Sequence, residues 1–145
     1  MSDFYVKPGQ SVQFSKTVGE SDVYLFAGLT GDLSPNHVNE QFMSQSKYKR
    51  RIAHGALLIG FMSTASTRMI EQAGYSDTET AVSLGYDKIR FLGPVYIGDT
   101  MTVHYEIAEI DPARRRSRSK INVVNQKGEL VGTGEHILKW VPNAA

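Results

Sequence analysis

Residues 55–74, GALLIGFMSTASTRMIEQAG, set the strongest limit on what this chain can fold into. The spacing predicts a helix over 55–73, with Gly74 as a natural C-terminal stop. Leu57, Leu58, Ile59, Phe61 and Met62 surround the axis almost completely, so the first half is expected to be buried on every side. The second half is amphipathic. A buried helix of about five turns, at ~3.6 residues per turn, needs something wrapped around it.

The rest of the sequence supplies the wrapper. SVQFSKTV (11–18) places Val12, Phe14 and Lys16 on one face and Gln13, Ser15 and Thr17 on the other, which predicts a strand. Beyond the helix, TAVSLGYDKIRFL (80–92) reads as one strand or a bent pair. DTMTVHYEIAEI (99–110) puts Met101, Val103, Tyr105 and Ile107 on one face. RRRSRSKINVVNQ (114–126) alternates too, and ELVGTGEHILKWV (129–141) is the last strand, joined to it by a turn at NQKGE. Before the helix, Ser21 can cap a short helix that Gly31 ends, and a helical turn is expected over 40–44. One long helix followed by about four consecutive antiparallel strands is an α+β layer arrangement. A curved antiparallel sheet around one buried helix is the hotdog fold. With 145 residues, no repeat and no linker, the chain reads as a single domain over 1–145.

Composition narrows the function classes. There is no cysteine, which excludes disulfides, thiolate nucleophiles and cysteine-based metal sites and fits a cytoplasmic location. The net charge of +1 gives no general pull toward nucleic acid or anionic lipid. The N-terminus has no apolar signal core, and no run of about 18 apolar residues is present to span a membrane.

The chemistry concentrates in two places. In TGDLSPNHVNEQF (30–42), Asp32 and His37 flank Ser34-Pro35, and the proline pushes Ser34 out of helical geometry, which predicts a loop. A carboxylate is ionised at neutral pH and an imidazole can take or give a proton there, so the two can converge on one water. A turn aspartate followed by an unrelated histidine fits the same residues. His54-Gly55 opens the buried helix, where the first N–H groups lack internal partners and glycine lets a ligand approach the backbone. This could form an oxyanion site, or Gly55 could simply permit tight packing. SKYKRR (46–51) reads as a solvated loop or a phosphate attractor. ARRRSRSK (113–120) reads as an exposed strand face whose charge also protects a sheet edge. His104 and His136 read as surface or structural residues. No pair among the four histidines has metal-ligand spacing, so no metal is expected.

GDLSPNHVN followed by RIAHGALLIGFMS resembles the MaoC-like, R-specific enoyl-CoA hydratases (hydratase 2). Their motif runs acid–x–Asn–Pro–x–His, then Ala- or Val-His-Gly-Met. IRFLGPVYIGDTM (89–101) resembles the family's next block, Phe–x–x–Pro–Val–x–x–Gly–Asp, and the likeness covers residues 9–140. The resemblance implies a hotdog, usually a homodimer, with the site near the dimer interface and no cofactor. It implies reversible syn addition of water to a trans-2-enoyl thioester of coenzyme A or acyl carrier protein, giving the (R)-3-hydroxyacyl product. Asp32 and His37 would hold and activate the water. Ser34, His54, Gly55 and Ser63 would contact the substrate, the Gly55 N–H binding the thioester oxygen. Two positions depart from the pattern: Ser34 replaces the asparagine, and Ala56, near Gly60, replaces the methionine. A hotdog thioesterase and a non-catalytic partner subunit are the alternatives.

Overall fold

The chain is described by a computed structural model over residues 4–144. Strand β1 (Ser11–Thr17) leads into helix α1 (Glu20–Thr30), short helices α2 (Pro35–Val38) and α3 (Glu40–Ser44), and the long helix α4 (Gly55–Ala73). Strands β2 (Glu79–Phe91), β3 (Thr100–Asp111), β4 (Arg116–Val124) and β5 (Leu130–Pro142) follow. All pairings are antiparallel, in the order β1-β3-β4-β5-β2, so β1 and β2 are the edges. This is the hotdog arrangement that the element order implied.

Alternation fixes which face of each strand meets the helix. Met101, Val103, Tyr105, Ile121, Val123 and Leu138 point inward and are buried against Leu58, Phe61, Met62, Ala65 and Met69 of α4. Each such side chain contributes roughly 1.5–3 kcal/mol when fully buried. Among the described residues no helix is long and apolar enough to cross a membrane.

Several expectations are corrected. The first half of α4 is not buried all round: Ala56, Gly60 and Ser63 are exposed, because one sheet covers only one side of the helix. Gly19, not Ser21, is the N-cap of α1; its N–H donates to the Asp22 carboxylate at 2.8 Å. That bond, with the Lys16 ammonium 2.9 Å away, holds the Asp22 carboxyl below its ordinary range. Arg116, Arg118 and Lys120 do lie on the outer face, but β4 is an interior strand and guards no edge. The 80–92 segment is one strand with two register shifts, at Ser83/Gly85 and Asp87/Arg90, where Gly85 and Lys88 take positive φ.

Candidate active site

The segment from residue 31 to residue 38 is shaped by three local rules. Gly31 closes α1 in the left-handed region (φ 81°), its N–H bonded to the Ala27 carbonyl at 2.9 Å. Ser34 is extended, as a residue before proline should be. Pro35 then starts α2, where its missing N–H costs nothing. The expected loop is therefore partly helical, and α2 carries His37 inward while Asp32 stays exposed.

His37 is only 8 % exposed. Its Nδ1 lies 2.7 Å from the Ile52 carbonyl oxygen. A carbonyl only accepts, so Nδ1 carries a hydrogen, and in the neutral ring Nε2 then holds the lone pair. The same stretch is pinned again by the Ile52 N–H donating to the Asn36 carbonyl at 3.0 Å. Arg51, 7 % exposed, donates to the His37 carbonyl at 3.3 Å and pairs with Glu20 of α1 and Glu40 of α3. Burial opposes the guanidinium charge, and the two carboxylates outweigh it, so its pKa is raised. One of the four cations of SKYKRR is thus an internal clamp rather than solvated charge.

One side-chain donor atom from each of Asp32, His37 and His54 lies within 4.8 Å of the others. His54 is the N-cap of α4, and its ring stacks on His37 with centroids 3.7 Å apart and 26° between planes. Among the described residues no other group of histidines and carboxylates is placed to share a metal ion.

These histidines open into a cleft of about 500 Å³, also lined by Asn36, Tyr48, Gly55, Leu58 and Phe91. The Phe91 ring covers Gly55 so closely that a Cβ there would sit 2.7 Å from it. A side chain at this position would have to displace that ring, and as the first residue of α4 Gly55 presents an N–H with no acceptor inside the helix. The structure thus brings His37, His54 and Gly55 to one cleft, and sets Asp32 within 4.8 Å of both histidines without making it part of the cleft lining. Ser34 does not line the cleft; its hydroxyl donates to Asn36 Oδ1 at 3.0 Å, and Asn36 does line it. Ser63 lies two turns further along α4, on its exposed face and away from the cleft. Sequence reasoning missed Asn36, Arg51 and Phe91. Phe91 lies in the IRFLGPV block, whose position could have been taken as a signal; Arg51 gave none.

His104 is exposed on β3. His136 is fully buried and structural: Nε2 meets Ser83 Oγ at 2.7 Å, Nδ1 meets the Tyr105 hydroxyl at 2.8 Å, and Tyr86 stacks on the ring. Burial pushes its pKa down to about 4.

Comparison with known proteins gives a consistent relationship. The family described as "MaoC like domain" matches residues 3–131. An (R)-specific enoyl-CoA hydratase of Rhodospirillum rubrum is 38% identical over 110 residues, covering 76% of this chain and 72% of the relative. A 3-hydroxybutyryl-CoA dehydratase of Methylorubrum extorquens is 34% identical over 125 residues, covering 86% and 74%. The solved (R)-hydratase from A. caviae, involved in PHA biosynthesis, superposes with a TM-score of 0.82 at 28% identity over 92% of this chain and 96% of that one. The hotdog sheet, the long helix and the match across most of the chain place this protein in the MaoC-like family.

Proposed function

We propose that the protein catalyses the reversible hydration of a trans-2-enoyl-CoA to an (R)-3-hydroxyacyl-CoA. One observation carries the reading. His37 lines a cleft floored by the start of α4, has its Nδ1–H committed to a backbone carbonyl so that the neutral ring offers Nε2 as an acceptor, and lies with one ring nitrogen within 4.8 Å of an Asp32 carboxylate oxygen. The named activities of the relatives support the same reaction.

A water that donates one hydrogen to Asp32 and the other to His37 Nε2 turns an oxygen lone pair outward, toward C3 of the enoyl group. As the C3–O bond forms, one of the two residues takes the water proton. The π electrons move through C2 to the thioester oxygen, giving an enolate. The Gly55 N–H faces that oxygen, and donors of this kind are worth ~10²–10³ in rate. The enolate collapses and C2 takes a proton from the same pair of residues. Because hydroxyl and proton come from one side, addition is syn. Lys47, at the cleft, offers a cation for the carrier's phosphates.

A second copy fits the uncovered face. Ala56, Gly60 and Ser63 are exposed on α4, β2 is an unpaired edge, and Leu84, Phe91 and Leu92 are half exposed nearby. A homodimer covers these surfaces and adds a wall to the cleft; light scattering should give twice the chain mass. The reaction is tested with crotonyl-CoA, following loss of the conjugated thioester absorbance. Turnover is expected in the native chain and is expected to fall by at least ~10² in Asp32→Asn and His37→Ala. Release of free thiol in place of hydration would point instead to thioester hydrolysis.

A further inference from the structure

We infer that His54 is a positioning residue, which holds the Asp32 loop and the His37 ring in register and does not itself contact the substrate. The inference rests on the hydratase reading above. His54 borders the cleft but is only 2 % exposed, so little of it is available to a ligand. Its Nε2 lies 3.0 Å from the backbone carbonyl oxygen of Asp32. That oxygen only accepts, so Nε2 carries a hydrogen and the bond ties the Asp32 loop to the N-cap of the long helix. Asp32 is exposed and its own Oδ1 has only a long, 3.4 Å contact from the Ser34 N–H. The His54 bond is therefore the link that ties the acid's backbone to the start of the long helix, while Gly31 and the Asp32 N–H hold it to α1.

The ring does a second task. It is held between Phe26 of α1, centroids 4.7 Å apart, and His37 of α2, centroids 3.7 Å apart. His37 is fixed along one edge by Ile52 and across its face by His54. One side chain thus sets the distance between the two groups that must share a water. The remaining nitrogen, Nδ1, is buried without a partner. Such an orphan carries a desolvation cost, and a side chain kept there despite it is held for its other contacts. Misplacement of reacting groups by about 1 Å can cost ~10² in rate, which is the scale of effect expected.

Three substitutions separate the tasks. His54→Phe keeps a flat ring for the stack and loses the donor. His54→Gln keeps a donor at a similar reach and loses the ring. His54→Leu loses both. Expected values of kcat are ~10-fold to 100-fold down for His54→Leu, with His54→Gln recovering most of it and KM changing less than about 3-fold throughout. In an Asp32→Asn background the His54→Leu loss should shrink, because the part of it that acts through Asp32 is already gone and only the His37 stack remains to be lost. A raised KM at unchanged kcat would show a substrate contact and overturn the inference. So would native turnover in His54→Leu, or a loss of the same size with and without the Asp32 carboxylate. If His54→Leu does not fold, the Phe and Gln variants carry the same comparison. Failure of the native chain to hydrate crotonyl-CoA defeats the functional reading; a hydrating native chain with an indifferent His54 defeats only this inference.

Discussion

Two buried histidines with stacked neighbours, His136 on β5 and His37 on α2, differ in what they leave unfinished. His136 stacks on Tyr86 and has both ring nitrogens engaged, by Ser83 and Tyr105. His37 stacks on His54 and has one nitrogen engaged, by Ile52, with the other facing a cleft. The first is complete within the chain; the second is complete only with something bound. Burial alone does not mark a working histidine. Residual hydrogen-bonding capacity at an opening does.

The sharpest way to break this comparison is to remove each ring in turn. On the proposed mechanism His37→Ala removes a proton-transfer group, so it is expected to lower kcat by ~10²–10⁴ with a nearly native melting temperature. His136→Leu is expected to do the reverse. It strands the fully buried Tyr105 hydroxyl, costing ~1–3 kcal/mol of stability, while turnover per folded molecule stays near native. Matched kinetics and thermal melts check both; a large kcat loss in His136→Leu would erase the distinction.

The pH dependence of stability sharpens it further. The His136 pKa falls from 6.5 to about 4 in the folded state. The unfolded chain therefore binds a proton that the folded chain refuses. The stabilisation is complete above pH 6.5 and is lost progressively as pH falls toward 4, by roughly 3 kcal/mol in all. Asp22, Glu79 and Glu135 also have lowered pKa values; Gly19 and Lys16 hold the first, Arg115 and Tyr5 the second, Arg118 and Lys88 the third. As carboxylates, their contribution is lost only below about pH 4.5. Melting temperatures taken between pH 6.5 and 4.5 should fall in the native chain and fall less in His136→Leu.

A smaller effect is expected at the helix start. Gly55→Ala places a methyl group against the Phe91 ring, which is half exposed and can swing aside. Stability should change little, but the displaced ring and the added Cβ crowd the N–H that the proposed mechanism assigns to the thioester oxygen. Activity should fall by ~10–100-fold, read as kcat in the same assay.

Much of this was legible in the sequence because it depends on local rules. The helix over 55–73 follows from spacing and a terminal glycine, the turn over 40–44 appears as α3, and the inward faces of β3 and β4 follow from alternation. What was not legible depends on the sequence-distant partner. Strand order decided that β4 is central, and nothing in its alternating charges reveals that. All-round burial of α4 failed because apolar residues around an axis do not say which molecule covers them. At the site, Asp32 and His37 stood out through the acid, the proline and the histidine in one loop. Arg51 looked like one more surface cation; only its burial between Glu20 and Glu40 shows otherwise.

The smallest prediction concerns Ser34, where this chain departs from the asparagine its relatives' motif carries. Ser34 does not reach the cleft, whereas Asn36 does, with its Oδ1 receiving the Ser34 hydroxyl hydrogen. That bond leaves the Asn36 amide hydrogens free to point elsewhere. If the pair acts as a unit, Ser34→Ala frees the Asn36 amide to rotate, and losing one neutral hydrogen bond worth ~0.5–1.5 kcal/mol lowers kcat about 2-fold to 10-fold. Asn36→Ala should cost at least as much, and adding Ser34→Ala to it should cost nothing further. A Ser34→Ala loss larger than that of Asn36→Ala, or one that persists in the double variant, would place the serine hydroxyl itself against the reacting groups.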